Sequence, residues 1–90
     1  MDVSGKVAVI TGGGGGIGSA LSEALALHGA SVLLADLDER SAQQVAERLD
    51  AQYPGHAVGV GADVSASPDI QRVLALAERR FGPVDLYFAN

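Results

Sequence analysis

A run of five glycines between a strand-like and a helix-like segment constrains the fold of this chain more than any other feature. Residues 7–10 form a short, mainly β-branched apolar run without a polar residue, which is typical of a strand buried on both faces. Gly12 to Gly16 follow. Helical spacing is then met by Ile17, Ala20, Leu21, Ala24, Leu25 and His28, and Gly29 is placed to end that helix. A buried strand that turns through glycines into a helix indicates a parallel α/β sheet.

The same alternation of strand and helix continues along the chain. Residues 32–35 form a second buried strand, and a second helix begins near Asp38, which is a suitable N-cap. The third strand spans residues 57 to about 64, and the fourth spans residues 84–89. Because the connections are short, the strands must be parallel with crossover helices. We therefore predict the N-terminal β-α-β-α-β-α-β portion of a Rossmann-like, doubly wound α/β sheet, with four strands, three helices and helices on both faces.

The third helix has its own start and stop signals. Ser67 is the predicted N-cap, Pro68 the first helical residue and Asp69 an acid in the positive first turn. Its predicted buried stripe consists of Ile70, Val73, Leu74, Ala77 and Phe81. Gly82 and Pro83 then end the helix.

Composition excludes several classes of function. The chain has 6 Lys and Arg against 11 Asp and Glu, and a net charge of −5 argues against binding nucleic acid or an anionic membrane. It has no cysteine, so a disulfide framework and thiolate metal sites are excluded. Two histidines without a nearby third ligand predict no metal site. No signal peptide or membrane-length apolar run is visible, and we expect a cytoplasmic protein.

The glycine turn has the chemistry of a phosphate-binding site. The first amide groups of a helix lack partners and carry the positive end of the helix dipole, but a pyrophosphate reaches them only where no side chain intervenes. Gly12 is expected to allow the tight turn, Gly16 to let the backbone approach phosphate, and Gly18 to let helix and strand pack closely. With five consecutive glycines, the spacing Gly13-x-Gly15-x-x-Gly18 also fits a dinucleotide fingerprint.

An acid at the end of the second strand indicates which dinucleotide is bound. Asp36 lies about 20 residues after Gly16, where the dinucleotide fold places a carboxylate that binds ribose. It can accept hydrogen bonds from both ribose hydroxyls and would repel a 2′-phosphate. The nearest following cation is Arg40, so the sequence favours NAD over NADP.

These motifs together resemble the short-chain dehydrogenase/reductase family in its NAD-preferring form. Thr11-Gly12-x-x-x-Gly16-Ile17-Gly18 is similar to the family's TGxxxGxG motif, and Asp63-Val64 to its Asp-Val pair after the third strand. Residues 81–86 resemble the approach to its Asn-Asn-Ala-Gly motif. Here that motif would be Ala89-Asn90, with Ala89 replacing the first Asn.

The resemblance implies a set of cofactor-binding residues. They are Gly12, Gly14, Gly15, Gly16, Ile17, Gly18, Asp36, Leu37, Asp63, Val64 and Asn90. It implies that the glycine turn surrounds the pyrophosphate and the nicotinamide end, and that Asp36 holds the ribose. It also implies that Asp63 binds the adenine amino group and that the backbone of Val64 binds the ring edge. Asn90 would steady the sheet and present its backbone near the nicotinamide ribose.

The family's catalytic residues are expected to lie beyond residue 90. By resemblance, the complete enzyme transfers hydride between NAD(H) and a small alcohol or ketone with Ser, Tyr and Lys residues, and is a homo-oligomer. Lys6, Tyr53 and Tyr87 do not match those positions, so we expect the chain alone to be inactive. A stand-alone nucleotide-binding module without turnover is an alternative. An S-adenosylmethionine methyltransferase half is another, but Thr11 stands where that fold carries an acid.

Residues 1–90 are therefore expected to be an NAD(P)-binding Rossmann half-domain that stops after its fourth strand. Such a truncated sheet would leave Leu86, Tyr87 and Phe88 on an unpaired edge. An exposed apolar edge invites pairing with other chains, so we expect poor solubility or self-association.

Overall fold

The structure, a computed structural model that describes residues 2–90, contains four parallel strands and three helices. The strands are β1 (Val7–Thr11), β2 (Ser31–Asp36), β3 (Ala57–Gly61) and β4 (Leu86–Phe88). The helices are α1 (Gly16–Leu27), α2 (Glu39–Gln52) and α3 (Ser67–Arg80). The predicted fold class and order of elements are confirmed.

The order of the strands across the sheet is β3-β2-β1-β4. Val9 of β1 lies between Leu33 of β2 and Tyr87 of β4, and all three strand pairs are parallel. The chain builds outward from β1 to β3 and then crosses back to place β4 on the other side of β1. This reversal creates a crevice at the carboxyl ends of β1 and β4, which is where open α/β sheets bind their ligands.

Alternate residues of each strand face different helices. Ile10 and Leu34 pack with Leu49 of α2 on one face, whereas Val9 and Leu33 pack with Val73 of α3 on the other. All six of these side chains are fully buried. Burial on both faces explains why the strands have no polar alternation.

The first helix is confirmed, but the face that it buries differs from the apolar positions used to identify it. Gly18, Ser22, Leu25 and Ala26 are buried, while Ile17 is 75% exposed. The physical reason is size, because small residues at four-residue spacing let the helix lie close to the sheet. The Ser22 hydroxyl donates a hydrogen bond to the Gly18 carbonyl at 2.8 Å, so its burial leaves no unpaired group.

The boundaries of the other elements show one confirmation and two corrections. Asp38 is the N-cap of α2, as predicted, and accepts a hydrogen bond from the Ser41 amide at 3.2 Å. The prediction that Ser67 is the N-cap of α3 is wrong by one residue. Ala66 holds that position, and its carbonyl accepts from the Ile70 amide at 3.2 Å. The third and fourth strands are also shorter than predicted, so Asp63 lies in a loop rather than at a strand end.

Strand β4 is an edge of the sheet within residues 2–90. Tyr87 is 43% exposed, and Leu86 and Phe88 are half-buried. No helix in this range is long or apolar enough to span a membrane. The free edge of β4 has unpaired backbone groups beside apolar side chains, and such an edge can pair with a strand of another chain.

We predict that Tyr87→Lys reduces self-association of the 90-residue chain. A charged side chain on an edge strand opposes pairing with another edge. Light scattering should show a lower average mass for this variant than for the parent chain at equal concentration.

Leu27→Lys is the matched control, since Leu27 is 61% exposed but lies on α1 rather than on a strand. If both variants reduce the average mass equally, association depends on exposed apolar surface in general and not on the edge strand. A parent chain that is monomeric throughout would contradict the prediction outright.

Candidate cofactor site

A cavity of about 310 Å³ lies at the carboxyl ends of the strands, where it is lined mainly by the end of β2 and the loop after β3 and reaches Gly12 after β1 and Asn90 after β4. Its lining residues are Gly12, Ala35, Asp36, Leu37, Ala62, Asp63, Val64, Ser65 and Asn90. Six of the predicted cofactor residues are among them, and the remaining predicted residues form the adjoining glycine turn and the start of α1. A cavity of about 340 Å³ beside α2 and β3 is slightly larger but lies away from the glycine turn. The position at the strand reversal makes the first cavity the candidate site.

The glycine turn is pinned to the end of β2 by its own amides. Gly12 has a φ of +66°, a left-handed conformation that favours glycine. The Gly13 amide donates to the Ala35 carbonyl at 3.1 Å, and the Gly14 amide donates to the Asp36 carboxylate at 3.0 Å. The positive φ at Gly12 supports the fingerprint that begins there over the one that begins at Gly13.

The start of α1 offers free hydrogen-bond donors. Among residues 2–90, the amides of Gly16, Ile17 and Gly18 donate to no protein acceptor. The N-cap is Gly15, which has no side chain to cap them, and the first turn contains no acid. Three unpaired amides at the positive end of a helix of 12 residues fit an anion such as a pyrophosphate.

The glycines of the turn have different structural roles. A Cβ on Gly16 would have no protein atom within 4 Å, so the space beside it is open. A Cβ on Gly18 would lie 2.3 Å from the Gly12 carbonyl oxygen, and one on Gly14 would lie 2.6 Å from the Ser41 Cβ. Gly18 and Gly14 are therefore required for packing, as predicted for Gly18, whereas packing does not require a glycine at position 16.

Asp36 is held at the rim of the cavity by two backbone amides. One carboxylate oxygen accepts from Gly14, and the other accepts from the Asp38 amide at 3.0 Å. Each oxygen retains a lone pair that can accept from a hydroxyl. Leu37 beside it is 78% exposed and offers an apolar surface at the cavity. This geometry is suited to a ribose diol next to a flat base.

Asp63 and Val64 place an acceptor beside a donor in the loop after β3. One carboxylate oxygen of Asp63 accepts from both the hydroxyl and the amide of Ser65, the latter at 3.0 Å. These hydrogen bonds, the hydroxyl first, hold the pKa of Asp63 below its usual value. The other carboxylate oxygen and the Val64 amide have no protein partner within the described chain. Such a pair matches the amino group and ring nitrogen at the edge of adenine.

Thr11 joins β1 to β4 at the bottom of the cavity. Its hydroxyl donates to the Phe88 carbonyl at 3.3 Å and accepts from the Asn90 amide at 2.9 Å. The Asn90 side-chain amide nitrogen lies 3.2 Å from where a Cβ on Gly12 would stand. These hydrogen bonds of Thr11 were not predicted from the sequence. A buried hydroxyl at the end of a strand needs a hydrogen-bond partner, so the residue type was the available signal.

The lysine and tyrosines that do not match the family's catalytic positions lie outside the cavity. Tyr53 packs against the core between the sheet and α2, and Lys6 precedes β1 at the opposite end of the sheet. Across residues 2–90, no three histidine or acidic side chains converge as a metal site would require. The described site contains backbone amides, the carboxylates of Asp36 and Asp63, and apolar side chains such as Leu37.

Comparison with known proteins identifies the same family along nearly the whole chain. The model of a family described as short chain dehydrogenase matches residues 6–90. The uncharacterized oxidoreductase YuxG of Bacillus subtilis is 40% identical over 90 residues, which are 99% of this chain and 13% of that protein. The 11-beta-hydroxysteroid dehydrogenase A of Sesamum indicum is 45% identical over 84 residues, 93% of this chain and 24% of that protein.

A solved structure shows the same fold with a cofactor. A short chain dehydrogenase/reductase from Burkholderia phymatum, in complex with NAD, superposes with a TM-score of 0.90 at 38% identity. The match covers 97% of this chain and 31% of that one. The chain thus spans about a third or less of the length of these proteins.

We predict that Gly16→Ala and Gly18→Ala separate cofactor binding from folding. Gly16→Ala should weaken dinucleotide binding about tenfold or more by blocking phosphate, with thermal stability unchanged or slightly raised. Gly18→Ala should lower the free energy of unfolding by about 1–3 kcal/mol through overpacking. Thermal melts and NADH titrations of both variants check this. A Gly16→Ala variant that binds like the parent chain would contradict the phosphate site.

Proposed function

The chain belongs to the short chain dehydrogenase family, and from that premise we propose that it is the cofactor-binding part of an enzyme that transfers hydride between NAD(H) and an alcohol or carbonyl compound. One observation supports this more than any other. Three unpaired amides at the start of α1 adjoin a carboxylate that the same glycine turn holds in place. Amides suit the pyrophosphate of a dinucleotide, and the carboxylate suits the ribose next to it.

In this proposal, each part of the site binds one part of the cofactor. The amides of Gly16, Ile17 and Gly18 bind the pyrophosphate, with Gly12 and Gly15 shaping the turn. Asp36 accepts from the ribose hydroxyls. The bound nicotinamide supplies or accepts the hydride.

The base-binding half of the site completes the proposal. Leu37 covers one side of the adenine, and Asp63 and Val64 bind its edge. Gly14 fixes the Asp36 carboxylate through its amide. Asn90 presents its backbone toward the nicotinamide ribose from the end of β4.

A preference for NAD over NADP is part of the proposal. Asp36 and the α2 N-cap Asp38 place two carboxylates where a 2′-phosphate would lie. Hydrogen bonds from the Ser41 hydroxyl and amide keep the pKa of Asp38 below its usual value, so it is charged at neutral pH. Arg40 follows in the first turn of α2, but the two acids outweigh its single positive charge.

The remaining elements of the enzyme are proposed from the resemblance. Its Ser, Tyr and Lys, which would act on the substrate, follow the segment that matches this chain. A small alcohol or ketone substrate, a homo-oligomeric enzyme and a cytoplasmic location belong to the same proposal. A module without turnover and a methyltransferase half are not favoured, because the relatives include proteins named as dehydrogenases and as reductases.

We predict that Asp36→Ala weakens NADH binding about tenfold and changes NADPH binding much less. Loss of hydrogen bonds to a charged acceptor penalises NADH, while removal of its charge relieves repulsion of the 2′-phosphate. The chain has no tryptophan, so emission of the bound nicotinamide can be followed directly in titrations.

Glu47→Ala is the control, since it removes one negative charge from α2 at the other cavity. It should leave both affinities unchanged. Tighter binding of NADPH than of NADH by the parent chain, or equal losses for both in Asp36→Ala, would refute a ribose contact.

A further inference from the structure

Asp69, in the first turn of α3, is bonded to the loop that precedes its helix. One of its carboxylate oxygens accepts from the Asp63 amide at 2.8 Å. The other lies 3.6 Å from a guanidinium nitrogen of Arg72, and that same nitrogen donates to the Gly61 carbonyl at 2.8 Å. The Asp69–Arg72 pair therefore holds the backbone on both sides of Ala62.

The segment that this pair holds has little other support. Gly61 ends β3, which is an edge strand of the described sheet and pairs only with β2. The Ala62 amide donates to the Asp36 carbonyl at 2.9 Å, which is the last backbone bond to the sheet before the loop. Beyond it, the Asp63 backbone is tied to α3 by two contacts, its amide to Asp69 and its carbonyl to the Ala66 amide at 3.0 Å, and only the first is made by a side chain that can be replaced.

The held segment presents the acceptor and donor at the base end of the cavity. Asp63 offers its unpartnered carboxylate oxygen and Val64 its unpartnered amide. Adenine presents an amino donor next to a ring acceptor at its edge, whereas hypoxanthine presents a carbonyl acceptor next to an N–H donor. A fixed acceptor and donor therefore match the first base and oppose the second, because hydrogen bonds depend on distance and angle.

We propose that Asp69, together with Arg72, is a positioning residue that sets the preference of this site for adenine over hypoxanthine. The inference rests on the proposed function, since it concerns the base of the same dinucleotide. With the loop held, Asp63 and Val64 stay in the arrangement that only adenine satisfies. With the loop released, the same two groups reorient and accept either base.

A purely stabilising role for Asp69 makes a different prediction. An acid in the first turn also interacts favourably with the helix dipole. If that were its whole contribution, its removal would lower the melting temperature and weaken both cofactors by the same factor. The ratio of the two dissociation constants therefore separates the roles.

The test compares NADH with reduced nicotinamide hypoxanthine dinucleotide on the longest soluble protein that carries this sequence. The parent protein should bind NADH more tightly. Asp69→Ala should reduce that preference about fivefold, the value of one hydrogen bond of about 1.0 kcal/mol. Asp69→Asn keeps an oxygen acceptor for the Asp63 amide and should restore most of the preference.

Glu78→Ala is the matched control on the same helix. It removes one negative charge near the other end of α3, and the Glu78 side chain makes no hydrogen bond or ion pair within residues 2–90. It should leave the preference for adenine unchanged. The ratio of NADH to NADPH affinity should also stay unchanged in Asp69→Ala, because Asp36 determines it.

The outcomes distinguish this inference from the function on which it rests. A parent protein that binds neither dinucleotide overturns both. A parent that binds both bases equally, or an Asp69→Ala variant that keeps the full preference, overturns the positioning role and leaves dinucleotide binding intact. If Asp69→Ala does not fold, Arg72→Ala decides the question, since release of Gly61 should also reduce the preference and an unchanged ratio overturns the proposal.

Discussion

The hydrogen bond from the Gly14 amide to the Asp36 carboxylate links the two halves of the site. It ties the glycine turn after β1 to the end of β2, so the amides proposed to bind phosphate and the carboxylate proposed to bind ribose share one support. The bond exists only because the turn comes close to β2 and the start of α2. A Cβ on Gly14 would lie 2.6 Å from the Ser41 Cβ, which no packed side chains tolerate. The geometry of the site is therefore a consequence of backbone packing.

Close approach of backbone to backbone recurs across this face of the sheet. Gly18 and Ser22 bring α1 against the turn and sheet, and Gly59 lets α2 approach β3, where a Cβ would lie 2.4 Å from the Ala42 carbonyl oxygen. Small residues reduce the distance between layers and so determine where each helix begins relative to the strand ends. Because the ligand is expected at those ends, packing of the layers also positions the binding groups.

The sequence predicted what depends on local preference and missed what depends on long-range contact. Buried strands, the Asp38 cap and the left-handed Gly29 follow from the chemistry of neighbouring residues, and the structure confirms them. The buried face of α1 was only partly predictable from apolar spacing, since Leu25 is buried as expected but the small residues Gly18, Ser22 and Ala26 are buried beside it. The contacts of Thr11 and Asp69 also lay beyond sequence analysis, since their partners are set by the fold.

The charge distribution explains how an acidic chain can suit an anionic ligand. The net charge is −5, yet the start of α1 has unpaired amides and no acid in its first turn. The carboxylates that line the cavity are instead those of Asp36 and Asp63, which can accept hydrogen bonds from donors of a ligand and would repel its phosphates. This arrangement suits a ligand with an anionic centre flanked by hydrogen-bond donors, as in the proposed function. A dinucleotide with an unphosphorylated ribose has that order of groups, and a 2′-phosphate would place negative charge against Asp36.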